Sequence, residues 1–241
     1  LMYKIYLILL FILANVLFSN LNADESSKQA SSIQWLESRE YDLLCYQIYQ
    51  SAQKNLIALH SDKNFSSMLE QGSVSELKSA IVVDIDETIL LNLAMRKELL
   101  EEKKDFTLQI WKKHIELKSA VPINGSLEYL LFASKYNIKV IYISNRYKDS
   151  EDKTFILLQE LGYPISSKDD ILLQDEREDW SRNKSSRRKF IANRYRVIQM
   201  FGDNLRDFTE TNEQAIKNKN KFGHSWFLLP NPIYGNWLNN K

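Results

Sequence analysis

The chain has 241 residues but only one cysteine, Cys45, and three histidines, His60, His114 and His224. One cysteine excludes an intrachain disulfide. It also makes a poor nucleophile, because the arginine that a cysteine-based anion loop needs six residues on is replaced by Ser51. Its setting, "YDLLCYQIYQ", is an apolar helical stretch, where a cysteine acts as a small buried hydrophobe. The three histidines are isolated from one another, which argues against a histidine nucleophile or a histidine-rich dimetal site. There is no G-x-S-x-G elbow and no Walker-type phosphate loop. Charge of one sign is also lacking: 32 basic and 31 acidic residues leave a formal net charge of +1. A surface for nucleic acid is therefore not expected. No internal repeat or low-complexity tract is visible.

What is present is ordinary for a globular chain: 44% hydrophobic and 26% charged residues, enough for one core of usual size. The first residues differ. "LMYKIYLILLFILANVLFSNLNA" has one lysine and then an apolar run from Ile5 to Phe18, short for a membrane span and suited to a signal-peptide core. Ala23 before "DESS" gives a cleavage point, with an uncleaved N-terminal anchor as the alternative. The place where a lipoprotein would carry its cysteine reads Ser19, Asn20, Leu21. The expectation is a signal peptide over residues 1–23 and one exported domain over 24–241. That domain would be periplasmic or secreted, unlipidated, and not stably held at a membrane after cleavage.

Trp35, Tyr41, Leu44, Ile48, Ala52 and Leu56 recur at helical spacing, which predicts a helix over 33–60. A strand is expected at 80–84, a helix at 86–104 and a short helix at 106–118. From there strands ("IKVIYISN", "DILLQD", "VIQMFGDN", "SWFLLPNP") alternate with helices ("LEYLLFASKY", "EDKTFILLQEL", "KSSRRKFIANRY"). Continuous apolar strands alternating with helices predict an α/β fold, a parallel sheet covered on both faces. Ligands then bind beyond the carboxyl ends of the strands. The segment between the first two strands is too long for a simple crossover. With the N-terminal helix it is expected to form a small cap, from about 33–75 and 90–120.

The polar residues gather at those strand ends: Asp84 and Asp86, Ser144 and Asn145, Asp203 and Asp207. A lone aspartate there often only caps the next helix, which accounts for one carboxylate but not for two. Two adjacent carboxylates repel unless a cation or a proton is shared. An all-oxygen set suits Mg²⁺, a hard cation. With its charge offset, an aspartate can attack phosphorus to give an acyl-phosphate. Ser144 could donate to a phosphoryl oxygen. The balancing cation would come from the run Arg182, Lys184, Arg187, Arg188 and Lys189, a pattern that alone is most often a solvated face.

Taken together, "VVDIDETIL", "YISNR", Lys184 after "ILLQD", "FGDNLRDF" and "LPNPIYGNW" resemble the class C acid phosphatases of the haloacid dehalogenase superfamily. The resemblance runs in order from about Trp35 to Trp237. It implies a Rossmann-like parallel sheet of the haloacid dehalogenase type with a small helical cap. It implies Mg²⁺-dependent hydrolysis of small phosphomonoesters at acidic pH. By that resemblance Asp84 is the nucleophile and Asp86 the general acid and base, entering the reaction protonated. Ser144 holds the phosphoryl group, and Lys184 is the third-motif lysine. Asp84, Asp86 (through its backbone carbonyl), Asp203 and Asp207 hold the metal. Asn145, Trp111 and Tyr234 contact substrate, with nucleoside monophosphates and aryl phosphates preferred. Leu91 and Met95 depart from the family's usual aspartate or serine and tyrosine, while Asn92 is kept. A phosphotransferase, or a silent binding or storage protein of the same fold, are the rival readings.

Overall fold

The computed structural model describes residues 27–69 and 71–239; the expected signal segment, 1–23, lies outside them. Helix α1 is described over 27–36. Then follow α2 (Arg39–Ser61), β1 (Ser79–Val83), β2 (Leu90–Leu91), α3 (Leu93–Glu101), α4 (Leu108–Leu117), β3 (Val121–Pro122) and α5 (Ser126–Lys135). The second half holds β4 (Lys139–Tyr147), α6 (Glu151–Glu160), β5 (Ile171–Gln174), α7 (Ser185–Ala192), β6 (Arg196–Gly202), α8 (Asn212–Lys217) and β7 (Trp226–Leu228).

The main sheet has the order β5-β4-β1-β6-β7, and every pairing in it is parallel. Side chains of successive strand residues point to opposite faces. Ile81 and Val83 therefore join Val140, Tyr142, Ile198 and Phe201 on one face. Ala80 and Val82 join Ile141, Ile143, Met200 and Trp226 on the other. Both faces are buried, as expected for a parallel α/β sheet. In β6 the register with β1 slips by one residue: Ala80 faces Val197 but Ile81 faces Gln199, so Ile198 is the bulged residue. The buried Gln199 is satisfied by the carbonyl of Ala52 at 2.9 Å and by the hydroxyl of Tyr129.

The expected helix over 33–60 is two helices. Ser38 adopts an extended backbone and its hydroxyl accepts from the Tyr41 N–H at 3.1 Å, so it caps a new helix rather than continuing the old one. Expected in the cap, α2 instead lies against α5 and β6, where Tyr49 stacks on Phe201 with ring centroids 5.3 Å apart. Cys45 and Ala52 on the same helix are wholly buried, and burial pushes the Cys45 thiol up to about 12. The expected helix over 86–104 is also divided. Glu87 takes a left-handed backbone, φ 56°, and the turn it makes leads into β2, which pairs antiparallel with β3. Only Leu93–Glu101 is helical. β2, α3, α4 and β3 thus form one excursion between β1 and α5. Among the described residues no helix is long and apolar enough to cross a membrane.

Phe201 is 1% exposed and packs against Tyr49, Tyr129 and Phe227. Phe201→Ala should destabilise the fold by about 3–5 kcal/mol. Urea unfolding should show this as a lower midpoint with an unchanged slope.

Candidate active site

From β1 the chain moves outward to β4 and β5, then returns to the other side of β1 for β6 and β7. The direction reverses at β1, and the crevice beyond its carboxyl end is where such sheets bind ligands. Asp84 follows β1 directly, its N–H donating to the Phe201 carbonyl at 3.0 Å. Asp203 follows β6 directly, and the short 3-10 turn Leu205–Asp207 brings a third carboxylate back. A Cβ on Gly202 would collide with the Asp207 carboxylate, so only glycine lets that group lie against the strand end. Asp207 also accepts from the Asn204 N–H at 2.9 Å, which closes the turn.

One carboxylate oxygen each of Asp84, Asp203 and Asp207 lie within 4.8 Å of one another. Burial raises the pKa of Asp84, to about 7, against the pull of Lys184; Asp207 and Asp86 add to the rise. Burial likewise pushes Asp203 well up, reinforced by Asp207 and Asp84, while Asn231 donates to it at 2.6 Å. The cluster is short of positive charge. Lys184 supplies one unit, bonding Asp84 and reaching Asp207 at 2.6 Å. Burial would strip the Lys184 proton, but the two aspartates outweigh it and raise its pKa. Three all-oxygen donors that remain mutually destabilised fit a hard divalent cation.

The Asp86 side chain is not part of this cluster. Arg146 grips it with two hydrogen bonds, 3.0 Å from Nε and 2.8 Å from Nη2, and Asn92 donates to it at 3.0 Å. Burial opposes ionisation of Asp86, yet Arg146 overrides it and holds the pKa below the usual carboxylate range. The expectation that Asp86 enters protonated is thus not met in the resting site. Its side chain is therefore not among the oxygens that could hold a metal.

Ser144 and Asn145 lie inside β4, not at its end, where the β4–β5 register is irregular between Ile143 and Tyr147. The Ser144 hydroxyl lies 3.5 Å from the Asp86 carboxylate and accepts from the Arg146 N–H at 3.1 Å. Arg187, fully buried, bonds the Ser144 carbonyl and donates to the Asn145 amide oxygen at 2.7 Å. That leaves the Asn145 NH₂ as the end able to meet an anion. Trp111 lies over Arg146, 5.7 Å from guanidinium to ring centre, and beside His114. Tyr234 bonds the buried Glu87 through its hydroxyl, and its ring carries the Arg96 guanidinium at 4.8 Å. Both rings adjoin the site while serving its scaffold.

Sequence reasoning missed Arg146, Glu87, Asn231 and His114, and placed Arg187 only in the basic run as a candidate cation. Arg146 had a signal, since it stands two residues from Ser144 and so shares its face of the strand. The others are joined only by the fold.

A sheet that reverses at β1, with its acidic cluster in the reversal crevice and a lysine at the start of the helix before β6, defines a haloacid dehalogenase-type phosphoryl-transfer enzyme. More narrowly, the chain belongs to subfamily IIIB of that superfamily, the acid phosphatases, whose family model matches residues 15–237. It is therefore a phosphomonoesterase. Two solved structures of the class C acid phosphatase from Bacillus anthracis are similar to it. Each shares 30% identity over 88% of this chain and 87% of that one. The TM-score is 0.77 for the structure with tungstate bound and 0.74 for the other.

Gly202→Ala should displace the Asp207 carboxylate without loss of the core. The expected outcome is a melting temperature shifted by a few degrees and activity lowered by about tenfold or more, since misplacing a site group by ~1 Å costs about that or more. Circular dichroism melting and a chromogenic phosphate monoester assay check the two parts separately.

Proposed function

We propose that this chain is an exported, Mg²⁺-dependent acid phosphatase that works through an aspartyl-phosphate on Asp84. The observation that carries the reading is the unequal treatment of two carboxylates two residues apart. Asp84 is joined to Lys184 beside Asp203 and Asp207, with the Thr88 hydroxyl 3.3 Å away, whereas Asp86 is turned aside and clamped by Arg146. Paired groups whose surroundings push their pKa values apart divide the work of nucleophile and acid–base between them.

Asp84, Asp203 and Asp207, with the Asp86 backbone carbonyl, would hold Mg²⁺, which supplies charge that offsets nucleophile and phosphate together. An oxygen of Asp84 forms the bond to phosphorus as the ester P–O bond breaks. Asp86 gives its proton to the leaving oxygen. The Asp86 carboxylate then takes a proton from water as that water attacks phosphorus and frees Asp84. Lys184 and the Asn145 NH₂ meet phosphoryl oxygens. The Arg146 clamp favours ionised Asp86, the form the second step needs. Acidic solution fills the protonated form for the first, which is why an acidic optimum is expected.

Trp111 on the excursion and Tyr234 on the C-terminal segment support a preference for planar leaving groups, nucleoside monophosphates and aryl phosphates, over small alkyl ones. Equal kcat/KM across such a panel would count against that preference. The apolar run Ile5–Phe18 supports export. An intact mass beginning at Asp24, with no diacylglycerol, is expected for the exported form.

Asp84→Asn should abolish turnover while the protein stays folded, because an amide is a poor nucleophile. Chelator should remove wild-type activity and Mg²⁺ restore it, and Asp203→Ala should need far more Mg²⁺. Near wild-type turnover by folded Asp84→Asn would overturn the nucleophile, and a rate indifferent to chelator would overturn the metal.

A further inference from the structure

His114 lies on α4, in the excursion between β1 and α5, and is 5% exposed. Its Nε2 is 2.8 Å from the Asn92 amide oxygen, and its Nδ1 is 2.6 Å from the Ser119 hydroxyl. Asn92 is itself fixed from the other end. Its NH₂ donates to Asp86 at 3.0 Å and to the two Glu87 oxygens at 3.2 and 3.3 Å. Carboxylates accept and do not donate, so the amide nitrogen must face them and the amide oxygen must face His114. It follows that His114 is the Nε2–H tautomer and that Ser119 donates to its Nδ1. Burial keeps the ring neutral, with a pKa lowered to about 4, so this arrangement persists over most of the acidic range.

The same helix braces Asp86 from a second side. Trp111, one turn before His114, lies over the guanidinium of Arg146, the residue that clamps Asp86. Two of the three side chains that bond the Asp86 carboxylate are thus held from α4, Asn92 by a hydrogen bond and Arg146 by a ring face; Ser144, at 3.5 Å, is the third.

We propose that His114 is a positioning residue for the proton-transfer step, holding Asn92 in the one amide orientation that fixes the Asp86 carboxylate for the leaving oxygen. The inference rests on the reading of Asp86 as general acid. Without His114, the Asn92 amide loses the one partner its oxygen has among the described residues and can rotate, and the Asp86 carboxylate loses one of its three side-chain donors. The proton then has farther to travel and a poorer line to the ester oxygen. The α4 helix would therefore act on the chemistry as well as on the leaving group's surroundings.

The test uses the leaving group. An aryl oxygen such as p-nitrophenolate departs without help, whereas an alkoxide needs the proton as the bond breaks. Damage confined to the acid therefore falls on alkyl phosphates, while damage to the fold, the metal or phosphate binding falls on both. His114→Leu should lower kcat/KM for an alkyl phosphate by about tenfold or more, a fraction of the ~10²–10⁴ that a general acid contributes. For p-nitrophenyl phosphate the change should stay within about twofold. His114→Gln, whose amide N–H reaches the Asn92 oxygen as Nε2 does, should restore the alkyl rate. If His114→Leu does not fold, Ser119→Ala removes the far hydrogen bond and should show the same selective loss in smaller measure. Equal losses on both esters, or no rescue by glutamine, would overturn the proposal. Asp86→Asn separates this from the parent reading: if it too affects both esters equally, Asp86 is not the acid. If Asp86→Asn discriminates and the His114 variants do not, only the role of His114 fails.

Discussion

Three carboxylates whose oxygens lie within 4.8 Å of one another, in a buried crevice, repel each other strongly. Most features around the site follow from how the chain tolerates that repulsion. Lys184 is drawn from the start of α7 into the interior, at 5% exposure, to stand between Asp84 and Asp207. Gly202 gives up its side chain so that Asp207 can fold back against β6. Asn231, from beyond β7, reaches across to Asp203. None of these removes the deficit of positive charge, and that deficit is what makes the cluster a place for a divalent cation and a phosphate rather than a packed core.

Such a network is weak support for stability. A buried ion pair replaced by apolar groups of similar volume is often neutral or more stable. The stability of this fold comes from elsewhere: the two apolar faces of the sheet and the aromatic stack of Tyr49, Tyr129, Phe201 and Phe227. Buried cations with that much desolvation against them are retained because the site needs them. Arg146, Arg187 and Arg188 are each at most 1% exposed and all hold backbone or side chains of the strand ends and the turns after them. They fix the motifs in place through bonds to Asp86 and to backbone carbonyls.

The parallel order and the position of the site were legible because both rest on local pattern. Buried strands read as apolar runs, and polar residues directly after them mark the crevice. Asp84, Ser144, Asp203 and Asp207 could be named in that way, whereas the choice of Lys184 and all the roles came from resemblance. What was not legible depends on tertiary partners. The helix expected over 86–104 gives way to a turn because Glu87, with a left-handed backbone, is held by Asn92 and Tyr234, residues a sequence window cannot join. Ser38 is of a type that caps helices, but the apolar period that continues on both sides of it hides the break. Tyr234 was read as a wall for substrate, and its hydroxyl also ties the C-terminal segment to Glu87, a bond no sequence window shows.

That tie gives the C-terminal segment a part in the site that its distance in sequence hides. Asn231 bonds Asp203, and Tyr234 bonds Glu87, which shares Asn92 with Asp86. Ser32, on α1, in turn bonds the Pro232 carbonyl at 3.3 Å. Asp203 and Asp86 are thus linked through one short stretch, residues 231–234, that leaves the sheet after its last strand and is steadied by the first described helix. Long-range closure of this kind costs entropy that no local contact recovers. The Asn231 donor to Asp203 and the Tyr234 hydroxyl on Glu87 therefore both depend on that stretch being seated beyond the last strand.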